Sequence, residues 1–141
     1  MRLLALTLGM CCAFQVQAAE INLRVKNAPA DGMLVFQVYD NANAFGDFRN
    51  PVREVRYPVQ PDGSYVIRDV PAGTIAVLVY TDENDNRALD KSFIGIPKEP
   101  LGLSNSYRPK GPPSFQRASL SIAADEVLNL DIELYMTVPP S

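Results

Sequence analysis

Residues 74–80 read TIAVLVY, and every position after Thr74 is apolar. A strand with one buried face alternates apolar and polar residues, so a run that is apolar at both parities predicts a strand buried on both faces. We therefore expect this strand in the middle of a sheet, with Val77 and Leu78 both buried. Val70-Pro71-Ala72-Gly73 provides a tight turn before the strand, and the chain becomes strongly polar at Asp82.

Shorter strand patterns lie on both sides of this run, with apolar residues at alternate positions or at most positions. They cover residues 21–25, 33–39, 55–59, 65–70, 118–122 and 128–134. Pro61-Asp62-Gly63 is a strong turn signal and predicts that 55–59 and 65–70 form a hairpin. Phe45 and Phe48, in the loop over 41–51, are expected to pack back onto the core.

About seven short strands separated by turns, with no helical period, predict an all-β chain. The pattern is typical of an antiparallel β-sandwich of the immunoglobulin-like or transthyretin-like type. The cysteine–tryptophan signature of antibody domains is absent, because the chain has no tryptophan.

The longest irregular segment runs from Asp82 to Pro113 and is rich in proline and glycine. A loop of this length inside a compact domain is usually functional or disordered. Four apolar residues favour an ordered loop anchored on the core: Ile94, Ile96, Leu101 and Leu103.

The N-terminus has the layout of a secretory signal peptide. Arg2 precedes an apolar run from Leu3 to Phe14, and Val16 and Ala18 are suitable residues before a cleavage site. The run is too short for a transmembrane helix, which needs about 20 residues. We expect a signal peptide over 1–18, a single domain over 19–138, a loose tail over 139–141, and a periplasmic or secreted location.

Both cysteines, Cys11 and Cys12, lie in the expected signal peptide, so the mature chain would contain no disulfide. A lipid-modified Cys12 is the alternative, although Gly9-Met10-Cys11 is a poor lipoprotein cleavage site. The net charge of −3 and the lack of a basic patch argue against nucleic acid as a partner. The chain contains no histidine, the commonest general base and transition-metal ligand.

Oxygen-bearing side chains follow the central strand at a spacing that suits a hard cation. Alternate residues of a tight loop can direct their oxygens to one centre, and Ca²⁺ requires several such ligands. The predicted metal ligands are Asp82, Asn84, Asn86 and Asp90, with Glu99 folding back to complete the shell. The loop is not an EF-hand, because Phe93 stands where a bidentate glutamate is required.

Two other interpretations of the same loop stay open. In the first, the Asp and Asn side chains accept hydrogen bonds from the loop's own backbone amides. In the second, the protein is a periplasmic hydrolase that uses the carboxylates of Asp82, Asp90 and Glu99. Ser104 with Lys98 is a further nucleophile–base pair to consider, but no motif supports either catalytic arrangement.

Several segments of the mature chain resemble a family of exported bacterial proteins called domain of unknown function 2141. The residues that carry the resemblance are Val70-Pro71-Ala72-Gly73-Thr74, Asp82-Glu83-Asn84, Leu89-Asp90, Gly95-Ile96-Pro97-Lys98-Glu99, Gly102, Ser104-Asn105, Pro112-Pro113-Ser114-Phe115 and Ala118. The family pattern commonly has glycine where this chain has Asp85 and Arg87. The resemblance implies no established activity.

A small sandwich with one long ordered loop is a common platform for contact with other molecules. The leading expectation is therefore an exported binding or structural module, with a calcium-type site in the 82–90 loop as an additional feature. A protein or glycan partner would bind at 41–51 and 82–113. Catalysis is the less favoured class.

Overall fold

The computed structural model describes Gly9, residues 18–89, Lys91, Pro97 and residues 99–136. The expected signal peptide apart from Gly9 and Ala18, the expected tail, and Asp90 and Lys98 lie outside the described residues. The described chain contains eight strands: β1 Ala19–Lys26, β2 Met33–Tyr39, β3 Arg53–Pro58, β4 Ser64–Val70, β5 Gly73–Asp82, β6 Leu101–Leu103, β7 Leu120–Ile122 and β8 Val127–Glu133. Its helices are α1 Ala42–Asp47, α2 Phe115–Ala118 and a 3₁₀ turn at Ser104–Ser106.

The strands form two sheets that face each other across a shared apolar core. The smaller sheet has the order β4-β1-β8, and the larger sheet has the order β3-β2-β5-β6. β7 also pairs with β5, along Gly73–Ile75, while β6 pairs with Leu78–Tyr80 farther along the same strand. The described chain is therefore mostly β and arranged in two sheets, as the strand patterns predict, with two short helices that those patterns do not indicate.

The central strand β5 is buried on both faces, which confirms the prediction for Val77 and Leu78. Val77 belongs to the core between the sheets, and Leu78 belongs to a second apolar cluster on the outer face of the larger sheet. Period-two geometry directs successive side chains to opposite faces, so a strand covered on both sides must be apolar at both parities. The sequence run 74–80 is explained by this double burial.

The second cluster is covered by the two short helices and the loops that join them to the strands. Phe45 of α1 is fully buried and packs edge-on against Tyr39, Phe48 and Phe115. This confirms that the aromatic residues of 41–51 pack onto the core. The segment is helical rather than irregular, because the Asn41 side chain accepts a hydrogen bond from the Ala44 amide and caps a helix too short to show a period.

Two pairing predictions are wrong. β3 and β4 do not form a hairpin, since β3 pairs with β2 in one sheet and β4 pairs with β1 in the other. Pro61-Asp62-Gly63 specifies a reversal of the chain but not which strand will be the hydrogen-bonded neighbour. The sandwich is also not wholly antiparallel, because β1 and β8 pair in parallel. An alternating pattern carries no information about strand direction.

β6 has no predicted counterpart, because three residues are too few to show a period. It packs tightly against β8 of the other sheet: a Cβ on Gly102 would stand 2.5 Å from Ile132 Cγ2 and 2.6 Å from the Glu133 carbonyl oxygen. Beyond β8, Tyr135 exchanges two backbone hydrogen bonds with Leu101. Leu101 and Leu103 are buried as expected, and Ile94 and Ile96 lie outside the described residues.

The opposite seam, between β3 and β4, is joined by side chains. Arg53 Nε donates to the Arg68 carbonyl oxygen at 2.9 Å, and the Tyr57 hydroxyl donates to the Val66 carbonyl oxygen at 2.7 Å. These bonds satisfy acceptors on β4 that would otherwise face outward as an open sheet edge. Within the described residues, no helix is long and apolar enough to cross a membrane.

Candidate functional site

Asp82 ends β5 and is the centre of the candidate site. Its side chain is fully buried, and its Oδ2 lies 2.6 Å from Arg56 Nη2. Arg56 comes from β3, two strands away, and its side chain is only 20% exposed. The pair is possible because β2 lies between these strands and aligns Arg56 with Val35 and Asp82 with Met33. A buried carboxylate thus faces a largely buried cation.

The same carboxylate also accepts hydrogen bonds from the loop that follows it. The Arg87 amide donates to Oδ2 at 2.9 Å, and the Asn86 amide donates to Oδ1 at 3.2 Å. Both oxygens of Asp82 are therefore engaged, one by a guanidinium and an amide and the other by an amide. The loop folds around this side chain rather than away from it.

The other predicted ligands in the described chain also accept from backbone amides. Asn84 Oδ1 accepts from the Asn86 amide at 3.3 Å, and Asn86 Oδ1 accepts from the Ala88 amide at 3.0 Å. Glu99, which is 3% exposed, accepts from the Glu83 amide at 2.6 Å. These contacts match the amide-capping interpretation, which the sequence left open beside the metal.

The environment of Asp82 keeps it ionised. Burial raises the pKa of the carboxyl, but the hydrogen bonds from Arg56, Arg87 and Asn86 together lower that pKa below its ordinary value. The Asp82 carboxylate in turn raises the pKa of the Arg56 guanidinium. The pair is charged at neutral pH, and Asp82 is a weak candidate for a general acid, which needs a raised pKa.

A second buried polar group lies beside the ion pair on the same sheet face. The Tyr39 hydroxyl donates to Gln37 Oε1, and Gln37 Nε2 donates to Glu54 Oε2 at 2.7 Å. Burial raises the pKa of both Tyr39 and Tyr80, so these phenols stay neutral. The polar residues on this face of β2 and β3 therefore hold the strands together under the loop layer, by which we mean residues 41–51 and 82–113.

Lys91 connects the loop to α1. Its Nζ donates to the Asp47 carbonyl oxygen at 2.8 Å and lies 5.4 Å from the centre of the Phe48 ring. A cation over an aromatic face is attracted by the ring quadrupole. The segment after Asp82 is thus anchored at Arg56 on one side and at α1 on the other.

The calcium site stays a prediction. Asp90 lies outside the described residues, so the complete predicted ligand set cannot be assembled from them. Within the described part of the chain, no three Asp, Glu, Cys or His side chains form a group that could hold a metal ion. Arg56 places a positive charge 2.6 Å from the Asp82 carboxylate, at one of the predicted metal ligands.

Melting curves with millimolar calcium and with a chelator will separate the two interpretations. A ligand that binds only the native state raises the melting temperature by mass action. The amide-capping interpretation predicts superimposable curves, because Asp82 already has a cation and two amides as partners. A calcium-dependent rise that Asp82→Ala abolishes and Asp62→Ala retains would instead establish the metal site, since Asp62 caps a turn elsewhere in the chain.

Ser104 has a structural role that sequence reasoning missed. It lies beside the short part of β5, between Ile75 and Leu78, that pairs with neither β6 nor β7. The residue is fully buried. Its hydroxyl accepts from the Val77 amide at 3.0 Å and donates to the Ala118 carbonyl oxygen at 2.5 Å. The hydroxyl therefore completes the sheet between the two short strands and is not presented to solvent as a nucleophile would be.

Arg56 was also missed, although a signal for it exists in the sequence. A carboxylate at the end of a strand buried on both faces needs a partner, and Arg53 and Arg56 are the basic residues of the nearby β3 pattern. Strand register decides whether Arg53 or Arg56 lies next to Asp82, and the sequence does not show register.

One family of bacterial proteins matches the part of the chain that forms the two sheets and the capped loop. The family described as "Uncharacterized protein conserved in bacteria (DUF2141)" matches residues 24–129. The chain belongs to this family. The match begins inside β1, ends inside β8 and includes the whole loop layer, so the resemblance predicted from the sequence is confirmed. Comparisons with curated proteins and with solved structures gave no match.

Two residues that depart from the usual glycines of the family pattern take the conformation that glycine favours. Asp85 has φ of 54° and Arg87 has φ of 62°. An L-residue pays a steric cost in this left-handed region, and aspartate tolerates it better than arginine. Hydrogen bonds from the backbone N–H groups of Asn86 and Arg87 to the side chains of Asp82 and Asn84 hold the loop in this conformation despite that cost.

Proposed function

We propose that the mature chain is an exported binding or structural module built on an immunoglobulin-like or transthyretin-like β-sandwich. Its partner, a protein or glycan, binds the loop layer formed by 41–51 and 82–113. One observation carries this proposal: the chemically active side chains of the layer are engaged in holding its backbone. Asp82, Glu99 and Ser104 each accept from a buried or loop amide, which favours a preformed surface over a reaction centre.

The hydrolase alternative has less support. A glycoside hydrolase requires one carboxyl group with a raised pKa and a second one facing the same bond. The pKa of Asp82 is instead lowered, and Glu99 is bonded to the Glu83 amide. Both side chains accept hydrogen bonds from backbone amides within residues 83–87, which is the behaviour of structural carboxylates.

A preformed surface lowers the cost of binding because less chain must be ordered on contact. The loop layer is attached to the larger sheet by Arg56 and Ser104, and Lys91 joins its two segments by donating to the Asp47 carbonyl oxygen. The exposed residues above these attachments, including Asn43 of α1, are free to contact a partner. Export would place this surface outside the cytoplasm, where the expected signal peptide directs it.

A photo-crosslinking amino acid in the bacterial host tests the proposal. We expect that a crosslinker at Asn43, an exposed residue of the loop layer, forms a covalent adduct with the partner. A crosslinker at Asp125, in the exposed turn between β7 and β8, serves as the matched control and should form none. Equal adduct formation at the two positions, or none at either, would remove the loop layer as the binding surface.

A further inference from the structure

The segment over 105–117, which we call the basic loop, contains no acidic residue and three basic ones. Arg108, Lys110 and Arg117 are all exposed. The stretch without Asp or Glu extends from Pro100 to Ala124, although acidic residues outnumber basic ones in the whole chain. A region of one charge sign in a chain of the opposite net charge creates a local potential that attracts ions of the other sign.

Hydrogen bonds close the basic loop at two levels and gather its cations in one region of the surface. Asn105 Nδ2 donates to the Arg117 carbonyl oxygen at 3.2 Å. Nearer the tip, the Ser114 amide donates to the Tyr107 hydroxyl at 3.1 Å, and the other two cations lie between these two residues. The sequence does not reveal this basic region, because the two closures join residues that are 12 and 7 positions apart.

The three cations of the basic loop form no ion pair within the described residues. The ion pairs found there use cations of the two sheets instead: Lys26, Arg53, Arg56 and Arg68. Lysine and arginine side chains carry only hydrogen-bond donors. The cations of the basic loop therefore keep their N–H groups for oxygen atoms outside the described chain.

One of these cations is held against an aromatic ring. The guanidinium Cζ of Arg108 lies 4.5 Å from the centre of the Tyr135 ring. Contact with the ring face is favourable for a cation, and it leaves N–H groups at the guanidinium edge that can bind two oxygen atoms at once. Pro109, Pro112 and Pro113 restrict the backbone beside it. A donor group that is ordered in advance loses less conformational entropy when an anion binds.

The exposed chemistry of the basic loop favours a hydrophilic anion over a membrane or an acidic protein. The large apolar side chains exposed in the described chain are Val52, Val127 and Met136, and none belongs to this loop. Membrane-surface segments and protein interfaces both rely on apolar or aromatic anchors. The basic loop instead exposes the hydrogen-bonding side chains of Ser106 and Gln116. An acidic sugar supplies oxygen anions for the cations and hydroxyls for these polar groups.

We propose that the basic loop binds an acidic polysaccharide. Arg108, Lys110 and Arg117 bind its carboxylate or sulfate groups, and Ser106 and Gln116 bind its hydroxyls. A polymer with repeated acidic groups engages several cations at once, which raises its affinity above that of a single contact. This inference rests on the proposed function, because most of the basic loop lies in the loop layer and the inference names the partner of that layer.

Isothermal titration of the mature protein with hexagalacturonate and with a heparin hexasaccharide tests the acidic-polysaccharide proposal. We expect at least one of them to bind, with an affinity that falls as salt is added, because the contacts are exposed charge pairs. Neutral maltohexaose should not bind. A triple variant with Arg108→Gln, Lys110→Gln and Arg117→Gln should weaken binding about tenfold or more, since it removes the charge-assisted donors.

The matched control removes three exposed cations from the smaller sheet, with Arg24→Gln, Lys26→Gln and Arg68→Gln. It changes the net charge of the chain by the same amount, and it should weaken binding less than about twofold. If the melting curve shows the basic-loop variant to be unfolded, Lys110→Gln alone repeats the test. Lys110 forms no hydrogen bond or ion pair with the described residues, so this variant should fold and should weaken binding about threefold.

The acidic-polysaccharide proposal is overturned if neither acidic sugar binds, or if the basic-loop variant binds like its control. It is equally overturned if only phosphatidylglycerol vesicles or only polyglutamate bind, since the partner would then be a membrane or an acidic protein. Failure of the proposed function has a different result, because the crosslinker at Asn43 would then form no adduct. Capture of a protein at Asn43, with neither acidic sugar bound, overturns the polysaccharide and leaves the proposed function standing.

Discussion

Asp82→Asn is expected to lower the free energy of unfolding by about 2–4 kcal/mol, because it removes the buried counter-charge of the Arg56 guanidinium and leaves only the exposed carboxylate of Asp85 beside it. An asparagine also places an NH₂ group, which cannot accept a hydrogen bond, where one of the two carboxylate oxygens now accepts. One of its three present donors, from Arg56, Arg87 or Asn86, therefore loses an acceptor. Urea denaturation of the mature protein measures the loss.

Asp85→Asn is the matched control. Asp85 lies 3.4 Å from the same Arg56 Nη2, but its side chain is 82% exposed. An exposed ion pair is worth only about 0–1 kcal/mol, and asparagine tolerates the positive φ at this position as well as aspartate does. Equal losses from the two substitutions would show that burial of Asp82 does not set the strength of the pair.

The pH dependence gives an independent check of the same pair. The pKa of Asp82 is lowered in the folded protein, so its contribution to stability is present above the unfolded value, near 3.9. The contribution disappears as the pH falls through the lowered folded pKa. The stability difference between unsubstituted protein and Asp82→Asn should therefore be constant at neutral pH and shrink only in acid.

A double-mutant cycle with Arg56→Met isolates the direct interaction. Each single substitution leaves an unpaired polar group, whereas the double variant removes both charges. The sum of the losses in the free energy of unfolding of the two single variants should therefore exceed the loss in the double variant by roughly 1–3 kcal/mol. Additive losses would mean that Asp82 acts through the Arg87 and Asn86 amides alone.

Ser104→Ala is the second substitution with a large expected effect, about 2–4 kcal/mol. The alanine leaves the Val77 amide and the Ala118 carbonyl oxygen without their partner, and each buried group left unsatisfied costs ~1–3 kcal/mol. Hydrogen exchange should also show faster exchange of the Val77 amide, because that proton loses its acceptor.

Ser121→Ala provides the control for Ser104. Ser121 is an exposed residue of β7, so its replacement should change stability by less than about 0.5 kcal/mol. If Ser104→Ala is as mild as Ser121→Ala, a different group must satisfy the Val77 amide, and Ser104 would again be available for chemistry.

Local sequence information was sufficient for the positions of most strands. β2 spans Met33–Tyr39 as predicted, and β5 extends the predicted run by one residue at its start and two at its end. Burial of Val77, Leu78, Phe45, Leu101 and Leu103 also followed from the apolar pattern. The signal is strong there because burial selects side chains residue by residue, and period two is visible within a single strand.

The candidate site could be predicted only in part. The sequence pointed to Asp82, Asn84, Asn86 and Glu99 as a group of oxygens with a shared task, and the structure gives each of them a backbone amide. It did not point to Arg56 or to the position of Ser104. Both depend on which strands are neighbours, and neighbours are decided by contacts between residues far apart in the chain.

Taken alone, the amino-acid sequence determined the strand periods, the doubly buried centre and the family to which the chain belongs. Only the tertiary structure decided that β1 and β8 run in parallel, that β3 and β4 lie in different sheets, and that Arg56 rather than Arg53 faces Asp82. Periodicity is a property of one strand, whereas direction, sheet membership and register are properties of pairs of strands.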